Sequence, residues 1–195
     1  MTARVLAFAA GAFALMVDHA WAHSVLGITG FAGGLLHPLL VPTHACSIVA
    51  LALLAGQQRR LRSLPIIYGI GLVAGLGAIA LAYVPTFAEP AILSFATMTG
   101  VMVALARPLP MIWGGALALA TGLAVGLDSP PEAISISEAN LTLLGTALCA
   151  TAVLIALAWF TSQLHRNWQR IGVRIAGSWI AASAIMVLAL RLAGG

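Results

Sequence analysis

Lysine does not occur in this 195-residue chain, and aspartate and glutamate together number five. Charged residues of both signs amount to 7%, against about 25% in a soluble domain. So few charges cannot cover a water-facing surface, which excludes a soluble fold. Cysteine is nearly as scarce: Cys46 and Cys149 both fall inside apolar runs. Two thiols so placed build no disulfide framework and match no zinc spacing. The sequence also lacks internal repeats, low-complexity tracts, a P-loop and a dinucleotide fingerprint. No nucleophile–base pair or pair of carboxylates falls within the apolar runs, so enzymatic activity is not expected.

What is present is apolar. Hydrophobic residues make up 62% of the chain and the mean hydropathy is +1.06, the signature of a polytopic, all-α integral membrane protein whose solvent is the lipid bilayer. The isoelectric point near 10.1 comes from nine arginines scattered between apolar segments. That scatter marks helix ends on the cytoplasmic side rather than a nucleic-acid surface.

Residues 1–22 carry Arg4, an apolar run from Val5 to Val17, and Ala20-Trp21-Ala22, an A-x-A cleavage pattern. They read as a signal peptide ending at Ala22, the alternative being an uncleaved first helix. The remainder, 23–195, reads as one domain of six transmembrane spans: 24–56, 64–84, 91–106, 110–127, 140–163 and 172–192. The first segment is too long for one straight span of about 20 residues. A single crossing there puts Arg59, Arg60, Arg62, Arg107, Arg166, Arg170 and Arg174 on one side, with Glu89, Asp128, Glu132 and Glu138 on the other. The positive-inside rule then places both mature ends in the periplasm of a bacterial-type inner membrane, with Arg191 alone snorkelling on the outer side. Ser137 is the expected cap of the fifth span, and Gly71 and Gly75 form a GxxxG packing step beside Gly69 and Gly77.

The chemistry concentrates between Gly30 and Gly56, where His37 and His44 interrupt an apolar run and Pro38 and Pro42 lie among them. A lipid-facing helix gains nothing from imidazoles, and burying unpaired polar groups in hydrocarbon costs several kcal/mol each, so about that much argues for a use. The prolines predict a helix broken at His37-Pro38. On an unbroken helix the imidazoles would stand about 10 Å apart along the axis, too far for one metal ion held at about 2 Å by each. A break is what makes the spacing chemically useful. The alternative is that each imidazole only caps a backbone carbonyl freed by proline.

His23 is a third candidate ligand, since cleavage after Ala22 leaves its amine and imidazole together at the mature N-terminus. Imidazoles suit nickel, cobalt, copper and zinc. Cys46, two residues past His44, is a weaker candidate that would favour copper, as would Met98 and Met102, whose spacing also suits plain packing. His165, in the arginine-rich loop, reads as an interfacial residue.

The segment His23 to Gly56 resembles the HupE/UreJ family of membrane proteins. Family members show a signal peptide ending just before a His, then a G-F-x-x-G-x-x-H-P run leading to a D-H pair and another apolar helix. Here the run is Gly30-Phe31-Ala32-Gly33-Gly34-Leu35-Leu36-His37-Pro38, followed by Thr43-His44. The six-span layout extends the likeness over the whole chain. The resemblance implies a nickel or cobalt permease of the kind associated with hydrogenase and urease operons. Two departures stand out. The family's Asp before the second His is Thr43, and its His-rich segment near the end of the fourth span is here Thr121 to Asp128. Of these residues only Asp128 offers a polar substitute, which makes it a further weaker candidate.

Two functions follow as expectations. One is a secondary permease for a divalent transition metal, using His37, His44 and His23. The other is a non-transporting scaffold on the same fold, partnering a metalloenzyme or a further copy of itself. The topology is tested with single cysteines in a background lacking Cys46 and Cys149. Arg60→Cys and Arg166→Cys should stay shielded from an impermeant thiol reagent in intact cells, and Glu132→Cys should be labelled. Labelling at position 60 would mean that 24–56 crosses twice.

Overall fold

A computed structural model describes residues 28–83, 85–131 and 135–193; the leader expected at 1–22, with His23, lies outside them. The described residues form seven helices and no strand: α1 Gly30–Leu40, α2 Pro42–Gln57, α3 Ser63–Ala80, α4 Ala88–Leu105, α5 Met111–Leu127, α6 Ile136–Ser162 and α7 Asn167–Ala193. Four of them are long and apolar enough to cross a membrane, or five elements if α1 and α2, which meet at 70°, count as one broken span. α5 is apolar but only 17 residues long. Ile66, Val73, Trp113, Trp159, Trp168 and Trp179 are all more than half exposed. Such an apolar outer surface suits lipid and not water.

α2 runs through the middle, with Ala50, Leu51, Ala52, Leu54 and Ala55 fully buried and with α4, α6 and α7 around it. Lipid tails are as apolar as leucine, so close van der Waals packing, not escape from solvent, holds such helices together. The contacts show it. A Cβ at Gly71 or Gly75 of α3 would strike the Leu119 or Leu123 carbonyl of α5, and one at Gly122 would strike the Tyr68 carbonyl in return. Gly69 and Gly77 face open space, so only the GxxxG half of that glycine set packs. α4 and α7 meet similarly, with Gly100 against Gly177 and Ala181.

Hydrogen bonds stitch the two ends. At the arginine end, Gln58 Nε2 donates to the Arg107 carbonyl at 2.7 Å and Arg60 to the Leu109 carbonyl at 2.8 Å. At the far end, Arg191 pairs with Glu89 at 2.8 Å, so this outlying arginine has a protein partner where snorkelling alone was expected. Helix α6 is capped by Ser135, whose hydroxyl accepts from the Glu138 amide at 3.3 Å. Ser137 was the expected cap, but Ser135 stands three before Glu138, the S-x-x-E spacing of a capping box.

The break also differs from expectation. α1 runs through His37 and Pro38 to Leu40, and the chain bends at Val41, which is extended at φ −86° and ψ 109°. Pro38 deprives the Gly34 carbonyl of its helical donor, and Thr146 Oγ1 of α6 supplies one at 3.2 Å. Pro42 occupies the first position of α2, where no donor is needed. It pushes the residue before it out of the helical region. Hence the second proline breaks the chain and the first does not.

The glycine contacts are tested by introducing one bulky side chain at a time. Gly71→Val should lower stability in detergent by about 1–3 kcal/mol, as overpacking does. Gly77→Val, on the open face of the same helix, should leave the unfolding midpoint nearly unchanged.

Candidate metal centre

His37 stands in the last turn of α1 and His44 in the first turn of α2. The 70° bend between the two helices brings the imidazoles together, with centroids 5.2 Å apart and ring planes at 69°. Two imidazoles sharing a tetrahedral ion through bonds of about 2 Å would have centroids roughly 5 Å apart. The spacing of seven residues, too long on a straight helix, is therefore short enough here. The backbone stays bonded across the bend, from the Val41 amide to the His37 carbonyl at 3.1 Å and from the Ala45 amide to the Val41 carbonyl at 3.0 Å.

His44 is wholly buried, and its Nε2 lies 2.9 Å from Asp128 Oδ2. Asp128 follows the last residue of α5 and is 28% exposed, so the pair links the buried ring to the end of the bundle away from the arginines. The carboxylate accepts from Nε2–H, and in the neutral ring this tautomer carries its lone pair on Nδ1. Nδ1 is buried and has no hydrogen-bond partner among the described residues. A ring held by a carboxylate on one nitrogen and bare on the other is how histidine is prepared to ligate a metal. The carboxylate also gives the site negative charge to offset a divalent cation.

The other candidates are not drawn in. Cys46 is free and half-buried, and two residues along a helix from His44 it cannot share that ring's face. Met98 is 52% exposed on the outer surface. His165 is exposed and donates from Nδ1 to the Gln163 carbonyl at the arginine end. Among the described residues, no group of three or more His, Cys, Asp or Glu is arranged to hold a metal ion.

Two features escaped sequence reasoning. Thr142 Oγ1 donates to the Gly30 carbonyl at 3.1 Å, one turn above the bond from Thr146 to Gly34, so a threonine ladder fixes α1 to α6. Thr121, two turns before Asp128 on α5, and Tyr68 are buried, and their hydroxyls have no partner among the described residues. A threonine in an apolar helix carries no signal that would have singled either out.

A family model described as HupE / UreJ protein matches residues 11–187, nearly the whole chain. The chain belongs to the HupE/UreJ family. No curated protein and no solved structure matches it. HupE/UreJ proteins are associated with nickel and cobalt transport or with urease accessory roles. Taken with its apolar helices, membership makes this chain a multi-pass membrane protein.

The role of Asp128 is checked by nitrogen-15 NMR of labelled imidazoles. The native protein should show His44 as the Nε2–H tautomer. Asp128→Leu should remove that preference and weaken binding of added nickel by about 10–100-fold, the usual cost of losing a carboxylate that orients a ligating histidine.

Proposed function

We propose that the chain is a secondary permease for a divalent transition-metal ion, nickel or cobalt by family association, with copper a further candidate. His37 and His44 bind the ion at the bend, and Asp128 holds His44 in the ligating tautomer. The observation that carries this reading is the 5.2 Å approach of the two rings across the 70° bend. Two imidazoles are too few to trap an ion as a structural site of four ligands does. That suits cargo, which must leave as readily as it enters. His23 remains a proposed third ligand for arriving ions, and Cys46 is dropped from the set on geometric grounds.

Six spans in an inner membrane, with both mature ends periplasmic, belong to the same proposal. The bent pair supplies the first, and α5, about 26 Å long by helical rise, comes close to the roughly 30 Å hydrocarbon core. An ion arriving from outside would meet Asp128 first, as the exposed member of the site. The family's association with transport or accessory roles supports reading the site as a transport site rather than a catalytic one.

A second reading, a non-transporting scaffold for a metalloenzyme, is favoured by Thr43 in place of the family's aspartate. Metal accumulation per folded protein separates the two. His37→Ala and His44→Ala should each lower it about tenfold or more, and the double variant should add little, because groups sharing one ion are not additive. Thr43→Asp should raise nickel or cobalt binding by adding a carboxylate. Unchanged accumulation across all of these variants would leave the scaffold reading.

A further inference from the structure

The arginine end of the bundle holds two neighbouring cavities. One, of about 120 Å³, lies between the end of α2 and the α6–α7 turn, with Arg59, His165 and Arg170 in its lining. The other, of about 570 Å³, opens between the α4–α5 loop and the start of α7, with Gln58, Arg170 and Arg174 in its lining. Gln57 and Arg170 belong to both, so the two cavities adjoin in one basic region, with Arg59 on one side of Arg170 and Arg174 on the other.

Among the described residues this end has no carboxylate, since Glu89, Asp128 and Glu138 all sit at the opposite ends of their helices. The region's positive charge is therefore not neutralised by the protein. Arg174 is braced by an Nε bond to the Ala104 carbonyl at 2.9 Å, which leaves its terminal nitrogens for a ligand. Arg59 ends α2 in the left-handed region at φ 54°. Its amide donates to the Gly56 carbonyl and the Arg60 amide to the Ala55 carbonyl, the pattern of a Schellman cap, where glycine is the usual residue. An arginine there pays a conformational cost that glycine would not.

Gln57 adds a different group. Its Nε2 is committed to the Val103 carbonyl at 3.2 Å, while its Oε1 is buried with no partner among the described residues. An acceptor without a donor, among guanidinium groups, suits a ligand that carries both an anion and a hydroxyl. Ile171, on the rim, is 53% exposed, and Trp168, one turn before it on α7, and Leu105, the last residue of α4, are also more than half exposed. Chains lying along this apolar face would place a headgroup in the basic region.

We infer that this region binds the headgroup of phosphatidylglycerol, its phosphate on Arg59, Arg170 and Arg174 and a glycerol hydroxyl on Gln57 Oε1. Basic pockets between membrane helices recognise anionic lipids by this chemistry. The site is separate from the histidine centre and does not depend on transport.

Native mass spectrometry of the full chain, released from vesicles of equal phosphatidylglycerol and phosphatidylcholine, tests it. Phosphatidylglycerol should be retained in preference, and Arg59→Gly with Arg170→Gln should lower that retention about tenfold or more. Arg62→Gln with Arg166→Gln removes the same charge outside the two cavities and should retain the lipid. Arg59→Gly alone relieves the left-handed backbone, so its own loss of lipid cannot be blamed on misfolding. Equal loss in the Arg62 and Arg166 controls would reduce the effect to diffuse surface charge and overturn the site. So would retention of both lipids alike, or displacement of the lipid by inorganic phosphate at millimolar concentration, which would make the ligand a free anion.

Discussion

Pro42 has no amide hydrogen and disfavours a helical residue before it. From these two facts come the extended Val41, the 70° bend and the meeting of two histidines that a straight helix would hold two turns apart. Such a bend in hydrocarbon is tolerable only if every freed backbone group finds a partner inside the protein. Here the Val41 and Ala45 amides remain bonded across the break, and Thr146 takes the carbonyl that Pro38 leaves without its donor. The break is thus a structured joint and not a disordered gap.

The rest of the bundle holds that joint in place by close approach. Glycines let α3 and α5 touch backbone to backbone, which fixes the end of α5 and with it Asp128. On the other side, α6 receives the carbonyls of α1 on two threonine hydroxyls. Ser47, buried one turn into α2, donates to the His44 carbonyl at 2.8 Å and steadies the first turn of that helix. The imidazoles are therefore supported from three separate helices, although both come from one short stretch of chain.

Much of this was legible in the sequence. Hydropathy and the scarcity of charge mark an all-α membrane protein, and the prolines between His37 and His44 announce a break that makes their spacing useful. The Gly71–Gly75 step is readable as packing because a four-residue spacing puts both glycines on one side of a helix. The position of the break was not legible. Which proline bends the chain depends on whether a donor reaches the Gly34 carbonyl, and that donor, Thr146, lies 112 residues away. The pairing of His44 with Asp128 spans 84 residues, so the sequence shows a lone polar residue at a helix end and not its partner. Cys46 was excluded only by the rotation of the helix, and Met98 by its outward exposure. Ser137 against Ser135 is a choice of two adjacent caps, decided by the spacing to Glu138.

The histidine pair straddles the joint, one imidazole on each of its two helices. His37 is carried by α1, which α6 grips, while His44 is carried by α2 and tied to the end of α5. The hinge at Val41 lies four residues from His37, about 6 Å along the axis. A rotation of about 10° there swings His37 through roughly 1 Å, while metal–ligand distances tolerate only about 0.2 Å. In the proposed permease, a small flexing of α1 against α2 at this joint would be enough to pass from two ligands to one, so what assembles the pair would also release it.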